Sequence, residues 1–374
     1  MLSAPPIWLI VVAFICAIGP LVFIHEMGHY LVARLFGVGA ETFSIGFGRE
    51  IAGWTDRRGT RWKVGWLPLG GYVRFVGDEH HAGEGEGSPS ANRPDSFAGK
   101  PVWQRFLIVL AGPLANFILA ILIFAAVFGT FGIPHASNVV GAVTAGSAAA
   151  EAGIEPGDRI VAVDGERIKT FQDVKRTIFM RPGEEVRVVI ERGEQRRSLV
   201  VRIGATEEQD PFGRRHRIGF LGVAPSDQPE LIHPPAWSLL PIATEHTVNV
   251  IEMTVRGLYQ IITGLRSAEE LGGPLRIAQV AGEQASLGFI DFVWLAAIVS
   301  INLGFINLLP VPMLDGGHLL FYTLEAVRRR PVSVRAQEWA FRGGLALLLA
   351  LLLFTTVNDL GSFGLWDRLE RLIG

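Results

Sequence analysis

Apolar positions along the chain gather into four long runs separated by mixed or polar segments. Residues 1–24 carry no charged side chain, and apolar character resumes beyond His29 as far as Arg34. Residues 106–133 and 292–314 are uncharged, and so is a shorter run, 343–358. A helix needs about 20 apolar residues to cross a bilayer, so the pattern predicts four spans. Between the second and third runs the period changes. Arg159 to Asp164 and Val186 to Glu191 alternate apolar and polar side chains, as half-buried strands do. Glu155-Pro-Gly-Asp158 and Asp164-Gly165 read as turns, and Phe171 to Met180 as a helix. A second alternating region holds Phe43, Ile45 and Phe47, then Trp62, Val64 and Trp66; Gly70-Gly71 reads as a turn before a returning strand, Tyr72 to Phe75. Residues 77–99, rich in Gly, Glu, Ser and Pro, read as a tether in which His80 and His81 are solvated. Residues 234–265 have the length and mixed polarity of a helix lying on a membrane surface. Its Glu245-His246 reads as a surface pair.

Composition agrees. Of 374 residues, 49% are hydrophobic and 19% charged, so the lipid bilayer is the first partner implied. The net charge of −2 gives no support to a nucleic-acid partner. The single cysteine, Cys16, excludes a disulfide within the chain and a Cys-rich zinc site, and reads as packing. No Lys or Arg precedes Arg34, so the first run lacks the basic start of a signal peptide. Ten Lys/Arg lie between 34 and 105, and five arginines lie between 328 and 342. The positive-inside rule puts both segments in the cytoplasm and both termini outside. The expected order is span 1 over 1–36, a cytoplasmic loop over 37–105, span 2 over 106–133, and an extracytoplasmic α/β domain over 134–210. A linker with membrane-surface helices follows over 211–291, then span 3 over 292–322, a cytoplasmic loop over 323–342, span 4 over 343–358 and an outer tail over 359–374.

His25-Glu26-Met27-Gly28-His29 inside the first run reads H-E-x-x-H. Residues i and i+4 share a helix face, so both imidazoles can reach one metal ion. The intervening Glu is not a ligand; it can deprotonate a water that the metal activates. The pentapeptide arises by chance in roughly one chain in a hundred of this length. Its position argues further. Arg34 marks the cytoplasmic end of the helix, which places the motif roughly 7–14 Å inside the membrane. Ionisable groups at that depth are costly and default to function.

Two histidines do not complete a catalytic zinc site. The other intramembrane acid is Asp315, in Asn307-Leu-Leu-Pro-Val-Pro-Met-Leu-Asp315-Gly-Gly-His318. Pro310 and Pro312 break the helix there, which is tolerated where backbone lines a cavity. Asp315 could instead serve only as a helix N-cap, and His318 competes with it as a ligand. Asn307 is a candidate for contacting a substrate backbone or an oxyanion. Asn116 and Asn302, within spans, read as interhelical hydrogen-bonding groups.

These pieces together resemble the site-2 proteases, intramembrane zinc metalloproteases, and especially the bacterial regulator-of-sigma-E protease type. The matching segments are HEMGH at 25–29, PLGGYVRFVGD at 68–78, FAGKPVWQRFLIVLAGPLANF at 97–117, GGPLRIAQ at 272–279 and SINLGFINLLPVPMLDGGHLLF at 300–321. The resemblance implies Zn2+ held by His25, His29 and Asp315, with Glu26 as catalytic base. It implies peptide hydrolysis in or near a transmembrane helix, in a bacterial inner membrane with the active site near the cytoplasmic side. It also supports a membrane-associated hairpin that holds unwound substrate as an extended strand. Gly70, Gly71, Asn307, Pro310 and Pro312 are the substrate-binding candidates. An ordinary cytoplasmic hairpin is the plainer alternative.

Residues 138–204 resemble a bacterial PDZ domain, so the fold class expected is an α-helical integral membrane protein of about four spans with one inserted α/β PDZ-like domain. That domain either takes a peptide by strand addition or only excludes bulky substrates. The substrates expected are membrane proteins with a single transmembrane helix, already shortened outside, such as anti-sigma factors, or remnant signal peptides. Two other classes stay open: a metal transporter using the intramembrane His pair, and a non-catalytic PDZ scaffold.

Overall fold

A computed structural model of the protein describes residues 5–78, 93–135, 138–168, 170–179, 181–209, 215–226, 230–268 and 271–362. The tether expected at 79–92, with His80 and His81, and the tail at 363–374 lie outside these residues. Two compact units emerge, one formed by 1–126 with 240–374 and the other by 127–239.

The first unit opens with α1 (Ile7–Leu35), followed by β1 (Ala40–Thr55), β2 (Arg61–Phe75) and α2 (Val102–Phe131). Among the described residues four helices are long and apolar enough to cross a membrane: α1, α2 and, later in the chain, Phe289–Leu308 and Val334–Gly361. The second and fourth start earlier than the uncharged runs. Val102 precedes residue 106 and takes in Arg105; Val334 precedes 343 and takes in Arg335 and Arg342. A charge does not end a helix when its stem can lie along it and its head finds a partner. Arg105 Nη2 lies 2.8 Å from Glu325 Oε1.

Gly70-Gly71 is not a turn. β2 runs through both residues, and Gly70, with φ 120°, bends it. The hairpin turns at Asp56 to Thr60, where Asp56 Oδ1 accepts from the N–H groups of Arg58 and Thr60. That is the Asx-turn chemistry of an Asp two residues before the reversal. The bend doubles the sheet: Ser44 faces both Lys63 and Tyr72, and Ile45 faces both Val64 and Gly71. The start of β1 is therefore central, and Gly71 to Phe75 forms an edge. Phe43, fully buried against Phe23, Tyr30 and Trp62, anchors this sheet to α1.

The second unit carries β3 (Ile133–His135), β4 (Val140–Val143), α3 (Ala148–Glu151), β5 (Arg159–Val163), β6 (Glu166–Arg167), α4 (Phe171–Phe179), β7 (Glu185–Arg192), β8 (Gln195–Arg202), β9 (Gly204–Gln209), β10 (Arg215–Phe220), β11 (Val223–Pro225) and β12 (Glu230–Ile232). One four-stranded sheet has the order β6-β5-β7-β8, with β11 paired to β4. Ile160, Val163, Val186, Val188 and Ile190 make its core with Val174 and Ile178 of α4. The unit does not end at 210. Leu221 is buried in the same core and β11 pairs with β4, so residues up to Pro225 belong to it rather than to a linker. Burial alone would raise the Asp158 carboxyl, but hydrogen bonds from Arg192 and the Glu155 N–H hold it below the usual carboxylate range. This clamp fixes the 153–158 loop against β7.

The chain returns to the first unit with α5 (Ala236–Ile262), α6 (Pro274–Leu287), α7 (Phe289–Leu308), α8 (Asp315–Arg328) and α9 (Val334–Ser362). Helix α5 has a bundle-facing side: His246 packs edge-on against Phe124 and Trp294, not as a surface pair. Thr254 Oγ1 donates to Asn302 Oδ1 across to α7. Asp359 of α9 accepts from the N–H groups of Gly273 and Arg276, capping α6 from another helix. Cys16 is exposed on α1 and fills no internal gap.

Candidate metal centre

Helix α1 keeps Glu26 and the two histidines of HEMGH buried in the bundle. Asp315 arrives from the far end of the chain. After α7, Pro310 and Pro312 bar a continuous helix, and Met313 takes φ 85°, a left-handed conformation rare for a side chain with a Cβ. That strain turns the chain so that α8 begins at Asp315. Asp315 is not the N-cap; Leu314 holds that position without a side-chain bond. A Cβ at Gly316 would meet the Leu308 and Leu309 carbonyls, so only glycine lets α8 start this close to the end of α7.

Three donor atoms converge. Asp315 Oδ2 lies 3.1 Å from His25 Nε2 and 3.4 Å from His29 Nε2, and the two nitrogens are 3.3 Å apart. Ligands about 2.05 Å from a tetrahedral zinc stand about 3.3 Å from one another, so the triangle matches that geometry. Asp315 Oδ2 is also buried with no hydrogen-bond donor satisfying it. Among the described residues this is the one His/Cys/Asp/Glu group that could hold a metal. His318 is outside it, although it lines the same cavity.

The outer nitrogens are oriented from α2. His29 Nδ1 lies 2.9 Å from the Ile108 carbonyl, which can only accept, so the proton sits on Nδ1 and Nε2 presents its lone pair. His25 Nδ1 lies 3.2 Å from the amide of Asn116. Turned with Nδ2 toward the ring, that amide leaves its oxygen buried without a partner. Turned the other way, Oδ1 accepts the Nδ1 proton, which leaves His25 Nε2 with its lone pair free for a metal. Ser300 Oγ of α7 donates to the Asn116 carbonyl, locking three helices around this point. Close approach of α1 and α2 depends on two glycines: a Cβ at Gly28 would strike the Ala111 carbonyl, and one at Gly112 would occupy the His29 ring. Asn116 reads from the sequence only as an interhelical hydrogen-bonding group, and the two glycines carry no local signal; the one available cue is that Gly112 and Asn116 stand four residues apart, on one face of α2.

A cavity of about 520 Å³ opens over the donors. Glu26 shares it with Asn307 and with Gly70, Gly71, Tyr72, Val73 and Phe75 of the β2 edge. Pro310 and Pro312 are not among its lining residues. They shape the loop, and Pro312 instead packs under Gly344 of α9.

Comparison with known proteins follows the same lines. The family model described as Peptidase family M50 matches residues 13–351. "Putative zinc metalloprotease Atu1380" of Agrobacterium fabrum is 45% identical over 362 residues, 94% of this chain and 96% of that protein. "Metalloprotease MmpA" of Caulobacter vibrioides is 38% identical over 393 residues, 97% of this chain and 98% of that protein. Among solved structures, the PDZ domain of an SdrC-like protein from Listeria monocytogenes covers 25% of this chain and 93% of its own, with 21% identity and a TM-score of 0.20.

Proposed function

Because the chain belongs to peptidase family M50, the site-2 zinc metalloproteases, we propose that it hydrolyses peptide bonds in transmembrane segments of single-span membrane proteins. It is a zinc metalloprotease with four apolar helices, of the intramembrane kind, and the transport and scaffold alternatives fall with that membership. The proposed ligands are His25, His29 and Asp315. The observation that carries the reading is their triangle of donors beside Glu26, in a cavity walled by a strand edge that no other described strand pairs with.

Zinc bound there supplies Lewis acidity, acidifying water and polarising the scissile carbonyl. Glu26 takes the proton of the attacking water and returns it to the departing amine. Asn307, which lines the same cavity, would donate to the carbonyl oxygen. A substrate helix hides its amides; pairing with the Gly71–Phe75 edge would expose them. Ile51, Trp54 and Trp66 are exposed on the hairpin whose turn carries Arg57 and Arg58, which supports its insertion at a membrane interface. The orientation proposed is cytoplasmic for this hairpin and extracytoplasmic for the termini and the PDZ-like unit, in a bacterial inner membrane. Substrates already shortened outside, such as anti-sigma factors or remnant signal peptides, fit it. A peptide on the PDZ-like unit would add to the β11 edge, which among the described strands pairs only with β4.

Purified protein in lipid should cut a model transmembrane segment, stop with a zinc chelator and recover with added zinc; cleavage indifferent to chelation defeats the proposal. Two variants refine it. Asn116→Ala removes the partner of His25, and zinc affinity should fall about 10–100-fold; competition with a chromogenic chelator measures it, and an unchanged constant removes Asn116 from the site. At Gly71 a Cβ would stand 3.0 Å from Glu26 Cγ and 2.7 Å from the Ser44 carbonyl. Gly71→Val should therefore lower turnover by ~10-fold or more through misplacement of the base, with zinc content unchanged by elemental analysis.

A further inference from the structure

We infer that the second unit carries an anion site for phosphate oxygens, built from residues that take no part in the metal centre. A cavity of about 640 Å³ is lined by Asn138, Arg159, Gly165, Arg167, Glu191 and Arg196, with Val161 and Ala162 of β5. Three guanidinium groups face one carboxylate, so the cavity carries a surplus of positive charge. The arginines come from three different strands, β5, β6 and β8. Arg159 and Arg196 flank Glu191 in register across the sheet.

One of the three is built in. Asn138 is buried, its Nδ2 donates to the Ile160 and Ile168 carbonyls, and its Oδ1 accepts from Arg159 Nη1 at 2.9 Å. A side chain that stitches β5 to the 168 turn therefore also aims a guanidinium. Arg167 and Arg196 make no hydrogen bond or ion pair with described residues, in contrast to Arg181 and Arg192, which are both fully engaged on the same unit. Unspent planar forks around a concave wall match an oxyanion. The three guanidinium groups come from three strands that line one cavity. A carboxylate offers two oxygens in one plane, whereas a phosphate offers oxygens in three dimensions and fills more of such a space. The source is either a phospholipid headgroup or a free phosphate compound.

Hydrogen exchange on the full chain distinguishes these. The protein is placed in nanodiscs of phosphatidylcholine alone or mixed with phosphatidylglycerol, and separately in detergent with inorganic phosphate. With ligand at about ten times its Kd, amides over 159–168 and 191–196 should exchange roughly tenfold more slowly. Arg167→Gln with Arg196→Gln should erase the protection, while the charge-matched Arg197→Gln with Arg202→Gln, on the same strand but outside the cavity, should keep it. Protection by phosphatidylglycerol names a headgroup, and protection by inorganic phosphate alone names a soluble ligand; both uphold the site. Protection by neither, protection by a Glu-rich peptide only, or protection that survives the first double variant overturns it.

Discussion

Glu26→Gln should leave the protein folded and loaded with one zinc per chain, yet unable to cleave. Gln matches Glu in size and keeps the packing of this side chain, whose Cγ faces Gly71. It cannot accept a proton. A positioned general base contributes typically ~10²–10⁴-fold, and the loss should fall in that range or exceed it, since of the other carboxylates lining the cavity Asp315 is committed to the donor triangle. Asp78 lines the same cavity, but it sits at the end of the hairpin and not on the α1 face that carries the motif. Zinc is expected to stay because the donor triangle is made by His25, His29 and Asp315 without Glu26. The measurement is paired: cleavage of a transmembrane reporter and zinc per chain on one preparation. Normal cleavage by the zinc-loaded variant removes Glu26 as base. Loss of zinc together with activity makes it a ligand instead, and the site would need redrawing.

That the two histidines share a helix face follows from spacing, and so was legible before any fold. Asp315 was legible for a different reason. A charged residue beside two prolines in an apolar run has few reasons to be there except a partner. What spacing does not carry is contact between helices far apart in the chain. Gly28 and Gly112 look like ordinary small residues until α1 and α2 meet, and Asn116 looks like any span asparagine until its amide meets His25. The hairpin shows the opposite error. Gly70-Gly71 has turn composition, but Asp56 to Thr60 reverses the chain through side-chain bonds to its own backbone, leaving the glycines to bend a strand beside Glu26. The expected boundary at 210 ends the PDZ-like unit too early, before a further polar stretch. Leu221 enters the core only after that stretch, and a local window has no means of assigning a late strand to an early sheet. Local rules thus located the chemistry, while packing decided its shape.

Asp315→Ala tests the other half of the centre, and its signature should be the reverse of Glu26→Gln: zinc goes first and activity with it. A catalytic zinc keeps three protein ligands, and this substitution leaves two imidazoles. The loss of affinity should therefore exceed the ~10–100-fold typical of removing an outer partner, and cleavage at low free zinc should drop below detection. The fold is expected to survive. Helix α8 starts from Leu314, whose carbonyl accepts from the Gly317 N–H, and no α8 backbone bond uses the Asp315 carboxylate. Removing an acid from a helix first turn costs only about 0.3–1 kcal/mol, small against the stability of a packed bundle. Adding zinc in excess should restore part of the metal but little of the rate, because the third ligand also fixes where the carbonyl meets the attacking water. A variant that binds one zinc with unchanged affinity shows that Asp315 is not a ligand. His318, which lines the same cavity one helical turn later, would then be the residue to replace next. If instead Asp315→Ala loses zinc while Glu26→Gln keeps it, the four residues separate into three that hold the metal and one that moves the proton.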